Sequence, residues 1–286
     1  MKRSVFAACS RGCPALTIAR DYGIGITSVE WFYHHILGLE NCKIFPVCPK
    51  ILGIDEHRFT KRYGFATIFC DLRHHRAFDV ALNKDGGTFD GFIRSISGRD
   101  RGRIVSMDMN RAYCSLVRHC FPNTMVGLDR FHVILLVNER FRQILTELDD
   151  EHLSCNRKHL MRLMTVTKQW LALAQKTCLE RYFQNQPVIG ILYGFWYDFN
   201  DLLRLRNKTV AGCKGLIPKF LGYLQQLITS PFELLKTLGR TLSSWKEDVV
   251  KMFQFSRSNG ITEGFYRKMK LIQRWAYGFR NFENYR

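Results

Sequence analysis

Ile51-Leu52-Gly53-Ile54-Asp55 and Ile104-Val105-Ser106-Met107-Asp108 are two short apolar runs, each ending in an aspartate. Bounded runs of this length read as buried strands, so each delivers a carboxylate to the end of a strand. A third acid, Glu263, sits in Ser258-Asn259-Gly260-Ile261-Thr262-Glu263-Gly264, where a basic amphipathic helix begins. Two strand-end aspartates and one helical glutamate make a donor set for hard divalent cations, which prefer carboxylate oxygens.

Strand periodicity extends outward from these runs. Leu52 to Asp55, Gly64 to Leu72 and Ala77 to Leu82 read as three successive strands, followed by a helical stretch near Phe89 to Ser97. A strand from Arg103 to Asp108, a helix from Arg111 to Cys120 and a strand from Met125 to Leu128 complete the series. Three strands, helix, strand, helix, strand is the order of a ribonuclease-H-like α/β fold with a mixed sheet. From about Val133 to Phe253 the pattern turns almost wholly helical, which predicts a large all-helical insertion over about residues 135–255. The insertion falls between the last strand and the helix bearing Glu263, and so accounts for the long gap between Asp108 and Glu263.

Ahead of the sheet, residues 14–38 read as helix, turn, helix. Leu16, Ala19 and Tyr22 have helical spacing, and Gly23 suits a left-handed turn. Thr27 or Ser28 is placed to cap a second helix with Val29, Phe32, Tyr33 and Ile36 inward. Paired helices of this kind serve as DNA-reading modules and also as plain packing. Pro46 and Pro49 keep residues 41–50 extended as a linker. The predicted organisation is a helix-turn-helix DNA-binding segment at 1–40, a linker at 41–50 and a catalytic domain at 51–286.

The 43 Lys and Arg residues outnumber the 25 Asp and Glu residues, leaving a formal net charge of +18. Such a chain attracts nucleic acid by charge alone, because neutralised phosphates release counterions. Ten cysteines follow no disulfide framework and no secretory signal precedes them, which predicts a reducing, cytoplasmic setting. Cys9-x3-Cys13 and Cys42-x5-Cys48 lack the two-residue spacing of zinc knuckles. The longest apolar stretch, Pro187 to Phe199, is broken by Gly190 and Gly194 and falls short of the roughly 18 residues of a membrane span, so no membrane partner is predicted.

The three acids suit phosphodiester cleavage, in which two divalent ions about 4 Å apart clamp the attacking and leaving oxygens. Single acids in such places are also common as helix caps and dipole partners, so it is their joint order that carries the reading. Glu56 points to the strand face opposite Asp55, and His57, His74 and His75 read as surface residues. Asp129 and His132 share one face if a helix starts there, as a ligand, a base or, by preference, a brace for the sheet edge. After Glu263, Arg267, Lys270 and Arg274 fall at i+4, i+7 and i+11, a basic stripe fit to hold a phosphate backbone or else a solvated face. Trp275, Tyr277, Phe279, Phe282 and Tyr285, mixed with Arg280 and Arg286, can stack on unpaired bases, although so dense a run more often forms a core edge.

Together these stretches carry a resemblance. Ile54-Asp55-Glu56-His57, Met107-Asp108, and Phe121-Pro122-Asn123 leading to Asp129-Arg130-Phe131-His132-Val133 are its first half. Asn259-Gly260-Ile261-Thr262-Glu263-Gly264 and Ala276-Tyr277-Gly278-Phe279-Arg280-Asn281-Phe282-Glu283-Asn284-Tyr285 are its second. They resemble the DDE transposases of the ISL3 insertion-sequence family over nearly the whole chain. The resemblance implies a ribonuclease-H-like domain that cuts DNA at the ends of a mobile element and joins the freed 3′ hydroxyls to target DNA. It implies Asp55, Asp108 and Glu263 as catalytic acids and metal ligands, with a pair of Mg²⁺ or Mn²⁺ ions as cofactor. Lys270 matches the basic residue that follows the glutamate by seven positions, and Arg267, Arg274 and Arg280 join it as DNA contacts. Asp129 and His132 match an aspartate-x-x-histidine signature found after the second acid, which leaves the second acid open between Asp108 and Asp129. Implied partners are the element's terminal inverted repeats, target DNA and further copies of the chain in a synaptic complex, in the nucleoid of a bacterial cytoplasm.

Relatives usually begin with a cysteine-rich zinc-binding segment and continue beyond the aromatic motif, so the chain reads as shortened at both termini, with weak discrimination of element ends expected. Two rivals stay open: a DNA-binding protein whose acid site is dead, and a ribonuclease-H-like nuclease that cleaves without strand joining.

Overall fold

The computed structural model describes residues 1–41, 47–60, 64–83, 86–148, 157–166, 168–205, 210–254, 260–275 and 282. The chain opens with α1 (Lys2–Ser10), α2 (Ala15–Tyr22) and α3 (Ile26–Asn41). Then follow β1 (Ile51–Thr60), β2 (Gly64–Asp71), β3 (Arg76–Asn83), α4 (Gly86–Ser95), β4 (Ile104–Met107), α5 (Arg111–Cys120) and β5 (Met125–Leu128). A helical series comes next, of α6 (Arg130–Leu148), α7 (Arg157–Met164), α8 (Leu173–Asn185), α9 (Pro187–Arg204), α10 (Val210–Ile228), α11 (Glu233–Ser244) and α12 (Lys246–Phe253). The last helix is α13 (Gly260–Trp275). Antiparallel strands, then parallel strands joined by a helix, then a run of helices make this a ribonuclease-H-like α/β fold with a large all-helical insertion. Two compact units divide it, one of Met1–Arg103, Cys120–Asn123 and Ile261–Arg286, the other of Ile104–His119 and Thr124–Gly260.

In the first unit β1, β2 and β3 form an antiparallel meander with β2 in the middle. Directly opposite residues share a face, so the pairs Gly53↔Cys70, Asp55↔Ile68 and His57↔Ala66 put Asp55 and His57 on the face that carries Ala66, Ile68 and Cys70. These apolar side chains are buried with Phe59, Leu72, Val80 and Phe282, and Phe265 and Met269 of α13 pack against them. Spaced four apart, Phe265 and Met269 form the apolar stripe by which a helix otherwise rich in Lys and Arg docks on the sheet. On the opposite face the Phe69 ring meets Phe89 and Phe92 of α4, stacked on the first at 6.0 Å and tilted against the second at 4.9 Å.

β1 runs to Thr60, so Asp55 lies in mid-strand and not at a strand end as its sequence suggests. The strand outlasts the apolar run because His57 and Phe59 continue its inward alternation, at 4% and 5% exposure. The end of the segment read as a linker is also fixed: the Cys48 N–H donates to the Ser97 carbonyl at 2.8 Å and the Arg103 N–H to the Lys50 carbonyl at 2.9 Å. Residues 42–46 lie outside the described residues.

The N-terminal helices pack around Val5, Ala8, Ile18, Ala19 and Val29. Gly23 ends α2 in the left-handed region with φ 63°, as a glycine there is suited to do. Thr27 and Ser28 lie inside the first turn of α3, whose opening N–H groups at Ser28 and Val29 bond the Gly25 carbonyl, and neither residue is its cap. Leu16 and Tyr22 face solvent while Ile18 is buried. Helix α1 has no counterpart in the sequence reading; Val5 and Ala8, three apart, are its buried residues.

In the second unit β4 and β5 pair in parallel, from Ile104↔Met125 to Met107↔Leu128, and α12 packs against β5. The helical series encloses Phe141, Phe199, Phe220 and Phe253, all fully buried. At Gly239 the helices α10 and α11 touch so closely that a Cβ would stand 2.9 Å from the Ile228 nitrogen and 2.9 Å from the Leu227 Cβ. Neither neighbour can swing away, so Gly239→Ala is expected to destabilise the chain by about 1–3 kcal/mol, the cost of overpacking. Chemical denaturation of the two proteins measures it; equal midpoints would contradict this packing. Among the described residues no helix is long and apolar enough to cross a membrane.

Candidate metal-binding and catalytic site

Parallel pairing in the register Met107↔Leu128 brings the carboxyl ends of β4 and β5 to one edge. Asp108 and Asp129, each one residue past its strand, therefore sit side by side. The Asp129 N–H donates to the Met107 carbonyl at 2.7 Å, and the Asn110 N–H to the Asp108 carbonyl at 2.7 Å. Both turns lead into helices through a side-chain cap, which satisfies N–H groups that the first helical turn leaves unpaired. Asn110 Oδ1 accepts from the Ala112 and Tyr113 N–H groups at 3.0 and 3.3 Å, starting α5. Asp129 Oδ1 accepts from the Phe131 N–H at 3.3 Å, starting α6.

The helix begun by Asp129 places His132 one turn on, facing both carboxylates. His132 Nδ1 is 2.9 Å from Asp129 Oδ2 and 2.6 Å from Asp108 Oδ1. The one Nδ1 proton is within reach of both carboxylates. Asp108 Oδ1, itself buried, makes the shorter of the two contacts. Burial alone would lower the affinity of His132 for a proton. Hydrogen bonding to the two carboxylates and their charge outweigh burial and raise its pKa to about 10. At neutral pH the imidazolium thus supplies positive charge between two acids.

A consequence is measurable in the metal-free protein. Because the folded pKa exceeds the ordinary 6.5, the stabilisation from His132 is complete below about pH 6.5 and is lost as pH rises through about 10. Nitrogen NMR of His132 should show a protonated ring at pH 8, and Asp129→Asn should bring the titration down; a neutral ring at pH 8 in the parent chain would contradict this electrostatic balance.

The two acids differ in access. The Asp129 side chain is 2% exposed and committed to its cap and to His132, whereas Asp108 is 29% exposed. Asp108 is thus the more accessible of the two carboxylates, and it is not the one that starts α6. The donor set fits a hard cation: a partly exposed carboxylate in a place already built to hold positive charge.

In the first unit Asp55 lies on the face of β1 that α13 covers. The Tyr266 ring of α13 meets the His57 ring at 5.6 Å, and Gln273 Nε2 donates to the Phe59 carbonyl at 3.4 Å. These contacts advance in the same sense along helix and strand. One turn back from Tyr266 leads toward Asp55, and Glu263 belongs to that turn; its side chain lies outside the described residues. His57, read as a surface residue, is 4% exposed. Burial first, and then the Lys270 charge, lower its pKa to about 4, so it stays neutral. Its place among β1's inward positions, visible only once the strand is extended past Asp55, would have revealed it.

Arg267, Lys270 and Arg274 are all exposed on α13. Phe282 is buried and meets Phe59 edge to face at 5.6 Å, a core contact; Arg280 and the other aromatics of residues 276–286 lie outside the described residues. His74 and His75 are exposed, as read. Arg130 was given no role by the sequence. It is 7% exposed and donates to the Met252 and Arg204 carbonyls at 3.1 and 3.4 Å, tying the ends of α12 and α9 to the start of α6.

A ribonuclease-H-like fold with acids at the carboxyl ends of its parallel strands defines a class of nucleic-acid-processing proteins. Residues 52–286 match the family model described as transposase, that of the ISL3 DDE transposases, and the chain belongs to this family. It is also similar to the transposase for insertion sequence element IS1001 of Bordetella parapertussis, 21% identical over 244 residues. That match covers 81% of this chain and 58% of the relative's length.

Proposed function

We propose that this chain is a DNA transposase that cuts the ends of an insertion sequence and joins them to target DNA, with Asp55, Asp108 and Glu263 as its metal-binding acids. The observation that carries the reading is the division of labour at the β4–β5 edge, where Asp129 is buried, caps a helix and braces His132 while Asp108 stays partly exposed. Asp108 is accordingly the second acid, with Asp129 and His132 as its support. Asp55, on the face of β1 that α13 covers, and Glu263, in the first turn of that helix, complete the set. Mg²⁺ or Mn²⁺, bound as a pair, would activate the attacking oxygen and offset charge on the leaving one.

The protein's own part is placement and charge. The β4–β5 register and two helix caps fix Asp108, and His132 holds the negative charge of the edge together while DNA arrives. Arg267, Lys270 and Arg274, with Arg280, hold the phosphate backbone beside the acids, and the net charge of +18 gathers DNA to the surface. Residues 1–40, where α1, α2 and α3 share a core, act as the DNA-binding segment. The partners are the element's terminal repeats, target DNA and further copies of the chain, in a bacterial cytoplasm.

The test is incubation of the chain with a plasmid carrying the element's terminal repeats, a labelled target and Mg²⁺. Joined 3′ ends that vanish on chelation are expected. Nicking without joining would make it a nuclease, and binding without nicking a DNA-binding protein only.

A further inference from the structure

Lys270 has an aromatic partner on its own helix. Its ammonium nitrogen lies 4.1 Å from the centre of the Tyr266 ring, within the range where a cation is held by the negative face of an aromatic. Tyr266 and Lys270 are four apart, hence neighbours on one side of the helix. The Tyr266 ring is itself held against β1, at 5.6 Å and 61° from the ring of buried His57. Phe265 and Met269, the residues preceding each of the pair, are packed into the core, so the backbone under both side chains is anchored.

Direction matters as much as contact. Side chains on a helix lean toward its N-terminus, and a long one covers the turn before its own Cα. Lys270 therefore reaches back over Tyr266, toward the turn that contains Glu263 and toward the strand that contains Asp55. A flexible four-carbon stem would otherwise spread its charge over many positions in solvent.

We propose that Tyr266 is a positioning residue whose ring holds the Lys270 ammonium at the β1 side of α13, ready for a DNA phosphate at the acid site. This rests on the transposase reading for its purpose but not for its geometry. Within the basic stripe Lys270 is then aimed by an aromatic platform.

The experiment compares Tyr266→Phe, which keeps the ring face, with Tyr266→Leu, which keeps apolar bulk and removes it. The first readout is the NMR shift of the Lys270 ε-methylene in the full chain. Ring current should displace it upfield in the parent and in Tyr266→Phe, and the displacement should vanish in Tyr266→Leu; an undisplaced signal in the parent overturns the proposal. The second is Mg²⁺-dependent cleavage at saturating DNA. Tyr266→Leu should lower the rate about fivefold, the scale of one cation–π contact, with the KM for DNA nearly unchanged and Tyr266→Phe restoring the rate. Adding Lys270→Ala to Tyr266→Leu should then cost no more than Lys270→Ala alone. Independent, multiplying effects, or a Phe variant as slow as Leu, would overturn it. A parent chain that cleaves nothing would instead refute the proposed function, and the NMR shift would still decide whether Tyr266 holds Lys270.

Discussion

Asp108→Asn should eliminate Mg²⁺-dependent strand cleavage, by about a thousandfold or more, while leaving DNA affinity within about twofold. The substitution keeps shape and removes one charged oxygen ligand, and losing a single charge-stabilising group in a transition state has effects of about this size. Asp55→Asn and Glu263→Gln should do the same. Asp129→Asn is the informative contrast. An asparagine can still cap α6, so the fold should survive, and the loss should be about 10- to 100-fold, as for residues that orient a ligand from behind. Cleavage time courses on end-labelled DNA, with anisotropy titrations of the same proteins, measure both quantities. If Asp129→Asn is dead and Asp108→Asn retains activity, the second acid is Asp129.

The second large effect concerns binding. Replacing Arg267, Lys270 and Arg274 together by alanine should weaken the affinity for every duplex alike, because such side chains hold DNA by its phosphates without reading its bases. The slope of log affinity against log salt should become shallower by about 0.9 for each phosphate that is no longer neutralised, so by up to about 2.7. Equal slopes for the parent and the triple variant would mean that the stripe is a solvated face.

Most of the scaffold was legible because it rests on local pattern. β2, β3, β5 and α5 fall where alternation or helical spacing in their own residues puts them, and Gly23 turns left-handed where a glycine is cheapest. What the pattern hid was set by partners distant in sequence. Asp55 looked like a strand end because Glu56 and Arg58 interrupt the apolar run, yet pairing with β2 carries β1 through to Thr60. His57 reads as polar surface until α13 is laid across it. Which of Asp108 and Asp129 the start of α6 consumes was invisible in sequence, since both follow a strand directly and the difference lies in hydrogen-bond geometry.

The central claim is that Asp55, Asp108 and Glu263 hold the same ions. Substituting Fe²⁺ for Mg²⁺ and adding ascorbate and peroxide generates hydroxyl radicals at the bound ion, which break the polypeptide nearby, and mass spectrometry locates the breaks. The account predicts breaks beside residues 55, 108 and 263 in one sample, suppressed by excess Mg²⁺ and lost in Asp108→Asn. Breaks beside residue 108 with none at 55 or 263, or a pattern indifferent to Mg²⁺, would contradict it.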